Sequence, residues 1–204
     1  MKLSKRGEYG MRTLINLGIA REVGRDVVAA SDLANVDNLP LKFVEQILAD
    51  FRHAGIVGTK RGKFGGYFLQ KPANEIKMGD MVRLLDGMLA PIPCASEAFY
   101  QPCTCADEDH CGLRMLMIDV RNAISNILDR YTLGDVVEVT LRKLRRDKLP
   151  IPFAPVLTPN PTTSPGEAPR RHADPEGGFL AILKEIPAKR AGASKKTDKA
   201  KIAK

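Results

Sequence analysis

A chain of 204 residues with 32 Lys/Arg against 24 Asp/Glu carries a net charge of +8, and its length admits one or two domains. No apolar run reaches the roughly 20 residues that span a bilayer, and the opening Met-Lys-Leu-Ser-Lys-Arg-Gly-Glu lacks the apolar core of a secretory signal, so a cytoplasmic protein without a membrane partner is expected. The charge is unevenly placed: residues 150–204 hold nine prolines and ten Lys/Arg against five Asp/Glu, a basic, apolar-poor stretch expected to be a disordered tail because it cannot offset its own ordering entropy.

In chain order, residues 8–21 set Tyr9, Leu14, Leu17 and either Ile15 or Ile19 at three-to-four spacing, which predicts an amphipathic helix ended by Gly24. Ser31 and Asp32 supply N-cap chemistry for a short helix over 32–36. After the turn Asp37-Asn38-Leu39-Pro40, a third helix over 41–54 is predicted, with Phe43, Val44, Ile47, Leu48 and Phe51 as its buried stripe. Lys42, Glu45, Gln46 and Arg52 fall on the opposite face. Two helices joined by a tight turn, with polar side chains outward on the second, make a helix-turn-helix.

Residues 56–60 and 66–69 alternate as strands around Arg61-Gly62-Lys63-Phe64-Gly65, a hairpin with a glycine-rich tip charged by Lys60, Arg61 and Lys63. A helix-turn-helix followed by such a hairpin is a winged helix. Gln46 suits an adenine edge and Glu45 a cytosine amine in the major groove, whereas Lys42 and Arg52 suit phosphates. Ser4, Lys5 and Arg6 are candidates for further backbone contacts, and a double-stranded DNA partner follows.

All four cysteines lie within eighteen residues, at Cys94, Cys103, Cys105 and Cys111. In a reducing compartment, clustered thiols point to a metal centre or a redox sensor more than to two disulfides. The spacing fits neither zinc ribbons nor ferredoxins. His110, adjacent to Cys111, is a further candidate ligand. An enzyme with a cysteine nucleophile would need a histidine partner from His53, His110 or His172, and there is neither a glycine-rich nucleotide loop nor a catalytic carboxylate motif. The chain is read as a non-enzyme. Beyond the loop, Leu113, Leu116, Met117, Val120, Ile124, Ile127, Leu128 and Tyr131 form a continuous stripe on a long helix, followed by a last helix over 135–146.

The run from Leu41 to Leu69, the helix from Ile76 to Gly87 and the cysteine loop together resemble the Rrf-two family of bacterial winged-helix transcription regulators, over roughly residues 1–140. The resemblance implies a mainly α fold with a small β-hairpin wing: a DNA-binding domain over 1–90, a cluster-binding loop over 91–112, a dimerisation helix and terminal helix over 113–149, and the tail. It also implies a homodimer on a palindromic operator, with Glu45, Gln46 and Arg61 at positions that touch DNA. In its iron–sulfur members three cysteines hold a 2Fe-2S or 4Fe-4S cluster, with five residues between the last two. Cys105 and Cys111 keep that spacing, which leaves Cys94 as the first. Cys103 departs from the pattern, as a substitute for Cys105, a fourth ligand or a resolving thiol. An acidic ligand that one member takes from the partner subunit falls on Glu8. A repressor sensing iron, nitric oxide or oxidants is the expectation. The alternative is a regulator of the same fold without a cluster, switched by thiol oxidation, a small molecule or a partner, or holding structural zinc.

Overall fold

In the structure, a computed structural model, residues 3–87, 89–154 and Phe179 are described. Helix α1 runs Lys5–Glu22, three residues earlier than its apolar period predicts, because the Ser4 hydroxyl accepts the Gly7 N–H at 3.0 Å and caps it. Its Leu14, Leu17 and Ile19 enter the core. Helix α2 is Ala30–Val36 and corrects the expected cap: Ala29 holds the N-cap position, while Ser31 and Asp32 lie inside the first turn. The cause is tertiary. Val28 and Tyr67 exchange backbone hydrogen bonds at 2.9 and 2.8 Å, which hold the chain extended up to Ala29, and Asp32 is taken by an ion pair with Arg25.

Helix α3, Leu41–His53, starts straight after Pro40. Val44, Ile47, Leu48 and Phe51 are buried as expected, each contributing roughly 1.5–3 kcal/mol. Phe43, expected with them, is half-buried and meets Tyr9 edge to face, ring centroids 5.6 Å apart at 82°. The four-residue strands β1, Val57–Lys60, and β2, Gly66–Leu69, pair antiparallel with Val57 opposite Leu69 and Lys60 opposite Gly66. The Val28–Tyr67 bridge fastens this wing to the helices.

Helix α4, Met78–Asp86, packs on α1, with Leu85 against Gly10. After the cysteine loop, α5 spans Gly112–Arg130, about 28 Å at the helical rise, and none of its residues is buried. The chain then doubles back: Met78 N–H donates to Tyr131 O at 3.0 Å and Leu133 N–H to Ile76 O at 2.8 Å. Helix α6, Leu133–Arg146, opens with a capping box between Thr132 and Asp135. It returns Leu133, Val137 and Leu141 to the core, with Val137 against Gly18 of α1.

The chain divides into residues 1–167, which hold every element above, and 168–204, of which Phe179 alone is described. Of the stretch expected to be a tail, Ile151 and Phe153 pack against the core, and the Arg25 guanidinium sits 5.6 Å from the Phe153 ring centroid. Apart from Phe179, the tail from residue 155 onward lies outside the described residues.

Candidate functional site

The cysteine loop connects α4 to α5, and all four of its cysteines are free thiols. A short 3-10 turn, Pro93–Ala95, buries Cys94. The Cys94 and Cys103 sulfurs and a Glu108 carboxylate oxygen lie within 4.8 Å of one another. Three residues that no periodicity links, Cys94, Cys103 and Glu108, are thus brought together. Cys105 and Cys111, two of the expected ligands, fall outside that compact group.

Their protons are unequally held. The two sulfur neighbours push the Cys105 thiol up to about 12, because each hydrogen bond to it favours the neutral form. Burial raises Cys94, with the adjacent Cys103 adding to it. Cys111 is lowered, first by the backbone N–H of Arg114: it sits at the N-cap of α5, where unpaired amides face it. Cys94 and Cys105 thus resist ionisation, and a bound cation reverses that logic by stabilising thiolates.

Two arginines of α5 fix the loop. Arg114 Nε donates to the Cys94 carbonyl at 3.0 Å and pairs with Glu108 at 3.1 Å, and Arg121 Nη1 donates to the Ala95 carbonyl at 2.7 Å. The opposite end of α5 is tied to α4 by a two-pronged ion pair, Arg83 with Asp129, both bonds 2.7 Å. Of the other candidate ligands, His110 is exposed, its Nδ1 paired with Asp107 at 2.7 Å and outside the sulfur group. Glu8 lies on α1, paired with Lys5 at 2.9 Å and Arg12 at 3.7 Å. Sequence reasoning missed Glu108, Arg114 and Arg121.

On the reading side, Lys42, Glu45, Gln46 and Arg52 all emerge exposed from α3, opposite its buried stripe. Lys60, Arg61 and Lys63 are exposed at the wing. The amino-terminal candidates are engaged within the chain: Ser4 binds Asp86 through its N–H and hydroxyl, Lys5 pairs with Glu8, and Arg6 bridges Asp50 at 2.7 Å and the Leu85 carbonyl at 3.1 Å. Arg6 therefore joins α1, α3 and α4. No described helix is long and apolar enough to cross a membrane.

Residues 3–139 match the Rrf2 family, described as an iron-dependent transcriptional regulator. An HTH-type transcriptional regulator of Rhodobacter capsulatus named as "rrf2-like" is 34% identical over 139 residues, 66% of this chain and 91% of that protein. The regulator CymR of Bacillus subtilis is 31% identical, covering 69% of this chain and 92% of its own. The solved structure of B. subtilis CymR, titled the global cysteine regulator, superposes with a TM-score of 0.55 over 68% of this chain and 97% of that one, at 29% identity. That of T. potens IscR gives 0.54 over 74% and 93%, at 25% identity. With a winged helix, an outward polar face on α3 and a match across the folded elements, the chain belongs to the Rrf2 family of transcriptional regulators, a family of DNA-binding proteins and not of enzymes.

Proposed function

We propose that the chain acts as a homodimer on a palindromic DNA operator and senses iron, nitric oxide or oxidants through an iron–sulfur cluster held by the cysteine loop. The observation that carries this reading is the gathering of the Cys94 and Cys103 sulfurs and a Glu108 oxygen within 4.8 Å, in a loop whose four cysteines are all free thiols. Thiolates are the donors that iron–sulfur clusters take, so the donor set fits the group. Cys94, Cys105 and Cys111 would hold it, with Cys103 or Glu108 completing the set. A cluster supplies chemistry the protein lacks, since it is lost or attacked when iron falls or oxidants rise.

The chain's own residues do the rest. Arg114 and Arg121 tie the carbonyls of the Cys94 turn to α5, and Arg83–Asp129 ties α5 to α4. Arg6 ties the end of α4 to Asp50 on α3. These contacts link the loop, through α5 and α4, to the reading helix. The exposed apolar face of α5, with Leu113, Leu116, Val120 and Ile127, suits the same helix of a second copy. On the DNA side, Gln46 and Glu45 would read base edges, Lys42, Arg52, Lys60 and Lys63 would meet phosphates, and Arg61 would enter the minor groove.

A second reading, a thiol switch or structural zinc without a cluster, is favoured by the four free thiols in one loop and by the likeness to CymR, whose Staphylococcus aureus form has a solved structure titled oxidized. Anaerobic purification from iron-replete cells followed by iron, sulfide and zinc counting separates the two. Brown protein with iron and acid-labile sulfide is expected. Colourless protein with zinc or no metal would overturn the cluster.

A further inference from the structure

The wing carries a group that phosphate recognition does not use. Phe64 is 83% exposed, the highest exposure of any large apolar side chain among the described residues. It does not sit on a loose loop. Gly65 N–H donates to Gly62 O at 2.9 Å, which closes a turn with Lys63 and Phe64 at its two corners. Gly62, at φ +112°, takes a backbone conformation other residues rarely adopt, and a Cβ on Gly65 would come within 2.4 Å of the Lys60 carbonyl. The turn therefore depends on these two glycines, and the side chains at its corners, Lys63 and Phe64, are exposed. The Lys63 ammonium lies 5.9 Å from the Phe64 ring centroid, and Lys60 and Arg61 are exposed beside it.

An exposed apolar ring with a cation beside it, on a wing tip that carries two more exposed cations, suits a partner with an anionic rim and an apolar interior. Duplex DNA has that composition, with phosphates outside and stacked base faces within. We propose that Phe64 is a wedge that enters a base step from the minor groove, beside Arg61, and bends the duplex while Lys60 and Lys63 hold the flanking phosphates. The proposal rests on the DNA-binding reading above and adds a deformation that favours flexible pyrimidine–purine steps at the wing's contact.

The test uses the full chain, anaerobically purified, and duplexes that the unaltered protein enriches from a randomised library, end-labelled so that energy transfer reports bending. F64A is expected to keep its circular dichroism and oligomeric state, to bind about tenfold more weakly, and to leave the duplex as straight as free DNA. Because no charge is lost, its salt dependence should match that of the unaltered protein. K63A should do the converse, keeping the bend and lowering the salt slope by about one. Three results would overturn the wedge: F64A binding and bending as before, an unaltered complex that is not bent, or an F64A effect confined to oligomeric state. If the unaltered protein enriches no duplex at all, the DNA-binding reading fails first and the wedge with it.

Discussion

Among the described residues, the Thr13 hydroxyl is the buried side-chain polar atom left without a hydrogen-bond partner, on a residue that is fully buried in α1. Such a group forfeits its water without compensation, at roughly 1–3 kcal/mol. Thr13→Val keeps the shape and removes the hydroxyl, so it is expected to raise the unfolding free energy by about 1 kcal/mol, read from urea titration. An unchanged or lowered value would mean the hydroxyl has a partner. Single residues were also where the sequence was least legible. Cys94, Cys105 and Cys111 stand out by type alone, whereas Glu108 looks like any loop acid, because its approach to Cys94 and Cys103 is set by folding across a non-periodic loop. Arg114 and Arg121 are seven apart, hence on one face of α5, and that spacing was the available signal that they act on a common neighbour.

For the elements, apolar period did most of the prediction. The stripe of α3 and the alternation of the wing are local patterns that burial enforces, and both stand in the structure within a residue or two. The start of α2 failed because the Val28–Tyr67 bridge, a contact between residues distant in sequence, set the boundary in place of the local cap. The placement of α5 depends on a similar distant contact, the Arg83–Asp129 pair. The Arg83 hydrogen bonds hold the Asp129 carboxyl below its ordinary value, with the guanidinium's charge acting in the same sense against partial burial. A depressed carboxyl contributes stability that is fully present above the unfolded-state value of about 3.9 and is lost as pH falls through the lower folded value. With both partners about one-third exposed, solvent screening keeps the contribution to roughly 0.5–1 kcal/mol. Asp129→Asn is therefore expected to lower stability by that amount at pH 7, and the difference from the unaltered protein should shrink as pH falls below 4. A difference that stays constant from pH 7 to pH 3 would contradict the assignment.

At the scale of the molecule, none of the 19 residues of α5 is buried, and the proposed homodimer would cover its open face. Leu116 and Ile127, 56% and 53% exposed, sit on the face left open. Leu116→Glu places a charge where a second copy would bury it, and sedimentation is expected to show monomer for the variant and dimer for the unaltered chain. A variant that stays dimeric would move the interface elsewhere.

In the proposed function, what the loop binds sets the geometry of the reading heads. Its most direct measurement is operator affinity before and after anaerobic cluster loading, in the unaltered protein and in a variant with Cys94, Cys103, Cys105 and Cys111 all replaced by alanine. The unaltered protein should show at least about a tenfold difference between the two states, about 1.4 kcal/mol. The variant should fold, take up no iron–sulfur cluster and show one affinity throughout. A variant whose DNA binding still follows the loading treatment, or an unaltered protein whose affinity ignores it, would contradict the claim.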